Sequence, residues 1–154
     1  MAFPWEVVII LLLVLAVVAY AYFFLTKSSA KFTTVKIGNR SINAEIADTV
    51  VKKMNGLMFR KSLGEIDGML FVFDEHNYPG IWMMNMSFPI DIIWINSSKE
   101  VVYIQKDAQP CSVTSCPTYK PSEAAMFVLE VNAGFCDKHN IKVGSKAEFR
   151  SPDV

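Results

Sequence analysis

The sequence lacks both an excess of charge and the short motifs that mark common enzyme classes. Its 154 residues carry 15 basic and 15 acidic side chains, so the formal net charge is zero. Nucleic-acid-binding domains usually concentrate positive charge, and no nucleic-acid partner is therefore expected. The chain also has no G-x-S-x-G elbow, no H-E-x-x-H pair and no phosphate-binding loop. These absences count against the hydrolases, zinc proteases and nucleotide-binding proteins that those motifs define.

Histidine and cysteine are also scarce, with two histidines and three cysteines in the chain. A structural zinc needs four ligands, usually in closely spaced pairs, and only Cys111 and Cys116 form such a pair. Redox cysteines usually form a Cys-x-x-Cys at a helix start, which is missing. The sequence favours a structural disulfide between Cys111 and Cys116, with a reduced pair, a redox-active pair or half a metal site as alternatives. Cys136 follows Phe135 in an apolar turn and is expected to be reduced and buried. No metal and no cofactor is predicted.

One end of the chain is strongly hydrophobic. The run Val7–Leu25, VVIILLLVLAVVAYAYFFL, contains no charged residue. About 20 apolar residues cross the hydrocarbon core of a bilayer, so we predict one transmembrane helix within an N-terminal anchor, residues 1–26. A cleaved signal peptide is the alternative, but the run is long for one, no Lys or Arg precedes it, and no clear A-x-A site follows. Residues 27–31 are expected to be a linker, 32–150 a single domain and 151–154 a tail.

Two signals disagree about the side of the membrane on which the domain lies. Several basic residues follow the hydrophobic run and only Glu6 precedes it, which favours a cytoplasmic domain. Long domains can translocate in spite of such charges, however. A disulfide between Cys111 and Cys116 would form and persist in an oxidising compartment outside the cytoplasm. The disulfide thus favours an extracytoplasmic domain and the flanking charges a cytoplasmic one, and these residues alone leave the choice open.

The soluble part reads as short strands separated by turns. Alternating or continuous apolar runs bounded by Pro, Gly, Asn and Asp predict strands rather than helices. The class predicted is α+β, a largely antiparallel, curled sheet (a sandwich or partial barrel) with one or two short helices. The predicted strands are Phe32–Ile37 and Ser41–Ile46 as one hairpin, Met69–Phe73, Ile81–Met86, Asp91–Ile95 and Val101–Ile104 as a second hairpin, Ala124–Val131 and Lys146–Phe149.

Two short helical segments are predicted between these strands. Asp48 is placed to cap a helix over Thr49–Asn55, and Gly56 is placed to end it. Asn132 is placed to cap a helical turn that ends near His139, with Asn140 in the left-handed conformation that follows a helix.

The chain resembles domain-of-unknown-function family 192, also called uncharacterised protein family 0127. Six motifs in the family's order carry the resemblance, which covers nearly everything from Lys31 to Arg150. Members are often secreted or membrane-anchored, and because this agrees with the disulfide we predict an extracytoplasmic domain. The resemblance implies no established activity. This chain departs from the usual Trp-Met-Lys-Asn-Thr, since Met84 replaces the Lys and Met86 the Thr. The motifs are GLMFR (Gly56–Arg60), GMLFVF (Gly68–Phe73), WMMNMSFPID (Trp82–Asp91), Pro110-Cys111 with Cys116-Pro117 and Tyr119, VLEVNAGF (Val128–Phe135), and IKVG (Ile141–Gly144).

Polar residues in the central apolar stretch are the candidate site. Asn85 and Asp91 lie in an apolar neighbourhood beside Trp82, where they could line a small ligand cleft with Trp82 as its floor. The structural alternative is that Asn85 satisfies loop backbone, while Asp91 receives N–H bonds at a turn or pairs with Arg60. Arg60 and Tyr119, the latter next to the cysteine loop, complete the set of cleft candidates.

Two functional hypotheses follow from these residues. The first is a membrane-anchored extracytoplasmic binding or accessory module, with an unknown small ligand or protein partner held near Trp82, Asn85, Asp91 and the Cys111–Cys116 loop. The second is a small hydrolase or redox enzyme that uses Asp91 with a second carboxylate, or the cysteine pair. A soft Cu(I) site built from methionines is a weaker alternative, because Met also fills irregular core gaps.

Overall fold

The computed structural model describes residues 4–25, 30–112 and 114–150. The chain divides into two units, Met1–Ala30 and Lys31–Val154. The first unit contains helix α1, Trp5–Leu25. Among the described residues, no helix combines the length and apolar character needed to cross a membrane. The transmembrane helix expected from the sequence therefore stays a prediction. Most of the predicted linker, at 27–29, and the whole predicted tail, 151–154, lie outside the described residues.

The described part of the second unit contains nine strands and two short helices. Seven strands form one sheet in the order β6-β5-β8-β3-β2-β1-β9, and β4 and β7 form a separate antiparallel pair. Every neighbouring pair in the large sheet is antiparallel except β2 and β3. The elements are β1 (Phe32–Ile37), β2 (Arg40–Ala47), α2 (Val50–Asn55), β3 (Asp67–Asn77), β4 (Ile81–Trp82), β5 (Ile90–Ile95), β6 (Val101–Ala108), β7 (Thr118–Tyr119), β8 (Ala125–Asn132), α3 (Phe135–Lys138) and β9 (Ala147–Glu148).

The two ends of this sheet approach each other. An isolated bridge joins Glu100, just before β6, to Lys146, just before β9, and the Val101 N–H donates to the Ser145 carbonyl at 2.9 Å. The sheet is thus curled into a partial barrel, and the predicted α+β class with a largely antiparallel sheet is confirmed. Both predicted hairpins are present, as β1–β2 and β5–β6.

The sheet separates two hydrophobic clusters, because successive side chains of a strand point to opposite faces. On the α3 face, Ile93 and Leu129 pack with Phe135 of α3. On the β4 face, Trp94 and Val128 pack with Ile81 of β4 and other apolar residues. Each fully buried large apolar side chain contributes about 1.5–3 kcal/mol to folding, so both faces stabilise the sheet.

Helix α2 differs from the prediction in its cap. The cap is Thr49 rather than Asp48, and the Thr49 hydroxyl accepts from the Lys52 N–H at 3.3 Å. Asp48 instead accepts from the ammonium groups of Lys31 and Lys52, and the hydrogen bond from Lys31 helps to lower the pKa of its carboxyl. Gly56 ends the helix as predicted, at φ 49°. No residue of α2 is buried.

Two further predictions are wrong in detail. The predicted strand Ile81–Met86 ends at Trp82, and Asn85 takes a left-handed conformation (φ 58°) that a strand cannot continue through. Asn132 ends β8 and does not cap α3; Gly134 occupies the cap position, and the Asn132 amide donates to the Leu63 and Gly64 carbonyls. Asn140 has the predicted left-handed backbone, with φ 54°.

Candidate functional site

Asp91 is fully buried and its carboxylate holds helix α3 in place. Its oxygens accept from the backbone N–H groups of Cys136 at 2.8 Å, Asp107 at 2.9 Å and Gly134 at 3.2 Å. Asp91 alternates along β5 with Ile93, which packs on the α3 face. The structure therefore places Asp91 on the α3 face as a structural anchor for a loop and a helix, in line with the alternative of N–H bonds at a turn.

Arg60 lies away from Asp91. Its guanidinium donates to the Glu45 carboxylate at 2.6 Å, and both groups are only partly buried. Together with Asn43 and Asp67 they line a polar pocket of about 290 Å³. The predicted option of an Arg60–Asp91 pair is therefore wrong.

Asn85 is an exposed turn residue. Its carbonyl accepts from the Phe59 N–H at 3.0 Å, while its amide approaches only the sulfur of Met58, at 4.0 Å. Asn tolerates a positive φ better than most residues, which accounts for its place in this turn. This geometry fits the structural alternative, in which Asn85 satisfies a hydrogen-bonding group of the loop backbone.

Trp82 and Tyr119 lie on the short β4–β7 pair. Ile81 is opposite Tyr119, and Trp82 is opposite Thr118. Tyr119 is half-buried against the β4 face, whereas Trp82 is 46% exposed. An exposed tryptophan on a rigid strand offers a large apolar contact surface for a ligand.

The cysteine loop adjoins this strand pair. Cys111 and Cys116 are joined by a disulfide with a Cα–Cα distance of 5.0 Å, which agrees with the favoured prediction. The Cys111 N–H donates to the Met83 carbonyl at 3.3 Å, and an isolated bridge joins Met84 to Cys111. In the chain-entropy model, closing so short a loop stabilises the fold by about 2 kcal/mol.

A cleft between α2 and β4 is the main concave apolar surface around Trp82. Two adjoining cavities, of about 50 Å³ and about 340 Å³, form an inner and an outer part. We call them together the Trp82 cleft. Both parts are lined by Lys53, Met54, Phe71, Gly80, Ile81 and Trp82.

Glu130 lies at the inner end of the Trp82 cleft. Its side chain is 4% exposed, and it faces Met69 of β3 and Ile92 of β5 across the sheet. Its carboxyl has no hydrogen bond to a residue that the structure describes, and its oxygens are not sealed from solvent, so the carboxyl opens into the cleft. Burial raises the pKa of this carboxyl to about 8, and the charge of Arg60 opposes the rise only in part. The inner end of the cleft thus carries a carboxyl group that is mostly neutral at pH 7.

Lys53 is the other ionisable side chain along the cleft. Its ammonium donates to the Val72 carbonyl at 2.9 Å and lies 5.1 Å from the centre of the Phe73 ring. These contacts hold the positive charge of Lys53 beside β3, where its ammonium satisfies a backbone carbonyl. No group of three or more His, Cys, Asp and Glu side chains within the described residues could hold a metal ion.

The structure brings only part of the predicted site together. Trp82 lines the cleft, but Asp91 lies on the other face of the sheet, and Arg60 lines the polar pocket. Glu130 was not among the residues predicted from the sequence, although a single Glu within the apolar strand VLEV was a usable signal. Strand alternation places it on the same face as Val128, whose neighbours are apolar, so a carboxyl there needs an explanation.

The fold and the cleft define a class: a small, curled, mostly antiparallel α+β domain with an apolar cleft beside a disulfide-bonded loop. Residues 33–149 match the DUF192 family profile, described as "Uncharacterized ACR, COG1430". The match covers well over half of the chain, and the chain belongs to this family. The resemblance noted from the motifs is therefore confirmed.

Curated relatives agree with this assignment. A "UPF0127 protein" of Thermococcus gammatolerans is 30% identical over 104 residues, covering 66% of this chain and 63% of the relative. Another, of Thermococcus sibiricus, is 28% identical over 105 residues, covering 68% and 64%. The chain thus spans just under two thirds of the length of these relatives. A third, of Pyrococcus furiosus, is 28% identical over 108 residues, covering 70% and 87%.

Two crystal structures share the fold. One is a protein of unknown function from Novosphingobium aromaticivorans, with a TM-score of 0.73 and 28% identity, covering 80% of this chain and 89% of that one. The other, from Sinorhizobium meliloti, is described provisionally as a transcription regulator. Its TM-score is 0.73 at 27% identity, and the alignment covers 80% of this chain and 97% of that one.

Proposed function

We propose that this protein is a membrane-tethered, extracytoplasmic binding module whose ligand enters the Trp82 cleft. The observation that carries the proposal is the combination of a half-exposed tryptophan with a buried carboxyl in one apolar cavity. Ligand pockets are concave and mostly apolar, with a few polar groups that fix the orientation of the ligand. Glu130 and Trp82 supply these two kinds of contact.

The alternative, a small hydrolase or redox enzyme, has less support. Asp91 was its proposed catalytic carboxylate, yet the Asp91 oxygens are occupied by three backbone N–H groups and are buried on the α3 face. The cysteine pair is a disulfide in an irregular loop, without the helix start that activates a redox cysteine. A binding role needs neither a nucleophile nor a base.

The tether and the compartment rest on separate arguments. The uncharged run Val7–Leu25 supports an N-terminal anchor, as argued from the sequence. The Cys111–Cys116 disulfide supports a location outside the cytoplasm, since such bonds persist in oxidising compartments. The balance of 15 basic and 15 acidic residues gives no support for a nucleic-acid partner, in spite of the description given to the S. meliloti protein.

A thermal-shift screen of the full chain in nanodiscs tests the binding proposal. Each variant is compared with its own unliganded form, since a ligand that binds the native state raises the melting temperature. Tyr78→Ala is the matched control, because Tyr78 is an exposed aromatic residue outside the cleft. We expect compounds that stabilise the parent and Tyr78→Ala but not Trp82→Ala. Compounds that stabilise all three equally would mean that the cleft is not the binding site.

A further inference from the structure

Glu130 is a largely buried residue whose carboxyl opens into the inner cavity and has no hydrogen-bond partner within the described part of the chain. Among the described residues, every fully buried side-chain nitrogen and oxygen has a hydrogen-bond partner. The unbonded Glu130 oxygens therefore reach the cavity, where water or a ligand can bond to them. The inner cavity at the carboxyl is about 50 Å³, so there is space there for a small polar group. Glu130 is only 4% exposed, and it nevertheless lines this cavity.

The charged groups near Glu130 are held by other contacts. Lys53, which lines the same cavity, donates to the Val72 carbonyl. Arg60 acts on Glu130 through its charge, but its guanidinium is bonded to the Glu45 carboxylate on β2. The strands on either side place Met69 and Ile92 opposite Glu130, and neither carries a charge.

A cationic ligand fits these surroundings poorly. It would have to pass Lys53 along the cleft and would meet a carboxyl already subject to the field of Arg60. An anionic ligand would be placed against a carboxyl in a desolvated apolar cavity, which disfavours a second negative charge. An uncharged ligand avoids both costs.

We propose that the Trp82 cleft binds a small uncharged molecule with a short apolar stem and a carbonyl oxygen, which accepts a hydrogen bond from the Glu130 carboxyl. The apolar stem lies against Phe71, Ile81 and Trp82, where it buries apolar area. This inference rests on the proposed binding function and names the chemistry of its ligand.

The protonation of Glu130 gives the inference a pH signature. Below its pKa of about 8 the carboxyl carries the proton that the carbonyl of the ligand accepts. Above that pH the carboxylate can only accept hydrogen bonds, so binding to a carbonyl weakens. Since apparent affinity scales with the competent fraction, the dissociation constant should rise about tenfold between about pH 6.5 and about pH 9.

Methyl NMR on the full chain in nanodiscs, with labelled methionine methyl groups, tests this. The probes are butanamide, butylamine and butanoate, which share one stem length and differ in charge. Met54, Met58 and Met86 line the inner cavity, whereas Met126 packs against the α3 face and serves as the internal control. We expect butanamide to shift the NMR signals of the three cleft methyl groups but not the signal of Met126. The affinity for butanamide should fall at high pH.

Two variants at the same position sharpen the test. Glu130→Gln keeps an N–H donor, so it should bind butanamide with no dependence on pH across this range. Glu130→Leu removes the donor and should lose at least tenfold in affinity. Tighter binding of butylamine or butanoate, or a pH dependence that persists in Glu130→Gln, would overturn the ligand class and leave the binding site intact. If none of the three probes shifts the cleft methyl groups, the proposed function fails together with this inference.

Discussion

Asp91 and Glu130 lie one register position apart on neighbouring strands, and their carboxyl groups face opposite sides of the sheet. Asp91 pairs with Val131, and Glu130 pairs with Ile92. The Asp91 carboxylate is surrounded by backbone N–H donors, while the Glu130 carboxyl faces an apolar cavity. Two acidic residues so close in the fold thus have different surroundings: the first accepts hydrogen bonds that hold the scaffold, and burial raises the pKa of the second.

The first prediction concerns the pH dependence of stability. The pKa of Glu130 is about 8 in the native state, against 4.5 for an unperturbed group, so the native state keeps a proton that the unfolded chain releases. The free energy of unfolding should therefore fall as pH rises from about 4.5 to about 8, by up to about 1.4 kcal/mol per pH unit from this group. Glu130→Gln should lack this contribution. Urea unfolding at several pH values gives the comparison, and parallel curves for the two proteins would contradict the account.

The second prediction concerns Asp91. In Asp91→Asn, an NH₂ group replaces one carboxylate oxygen. Oδ1 accepts from Asp107 and Gly134 and Oδ2 from Cys136, so at least one of these three backbone N–H donors loses its acceptor. The remaining bonds also lose their charge assistance. We expect a loss of about 2–3 kcal/mol in the free energy of unfolding. Asp74→Asn, at an exposed position of β3, should stay within about 0.5 kcal/mol of the parent. Equal stability of the two variants would mean that Asp91 is not the anchor of α3.

The third prediction concerns the cysteines. Cys136 is fully buried, and burial with the nearby Asp91 carboxylate raises the pKa of its thiol. Native protein should therefore react with iodoacetamide at none of its three cysteines. Denaturant alone should expose Cys136, and a reductant is then needed for Cys111 and Cys116. Mass spectrometry of protein from its native host reads out each step. Modification of both loop cysteines without reductant would remove the argument for an extracytoplasmic domain.

The fourth prediction concerns the N-terminal run. Since Val7–Leu25 contains no charge, the full chain should stay in the membrane fraction after carbonate and high-salt washes. A version that begins at Lys31 should be recovered without detergent. Release of the full chain by carbonate, or a mature N-terminus after Leu25, would show that the run is not an anchor.

Local patterns in the sequence predicted the strands well and the cleft poorly. The alternation of Ile42, Ala44 and Ile46 located a hairpin strand, because a strand with one buried face leaves that pattern whatever it packs against. The run after Trp82 has the same apolar character, yet the backbone turns at Asn85. That turn depends on tertiary contacts with Phe59 and the cysteine loop, which no local pattern contains.

The carboxyl of the candidate site was missed for a related reason. Asp91 and Trp82 are close in sequence, and proximity along the chain was taken as proximity in the fold. The strand β5 places Asp91 beneath α3, while Trp82 lies beyond the other face. Glu130 comes from a strand distant in sequence, so only the register of β8 against β3 and β5 brings it to the cleft.

Blocking the cleft from its solvent side tests the central claim most directly. Met54 is exposed on α2 and lines both parts of the cleft, so Met54→Trp should fill the entrance without disturbing a buried residue. Val51→Trp adds the same bulk to the same helix at an exposed position that does not line the cleft. The measurement is the dissociation constant of a compound that stabilises the parent in the thermal-shift screen. The account predicts at least a tenfold weaker complex for Met54→Trp and an unchanged one for Val51→Trp; equal affinity in the parent and both variants would contradict it.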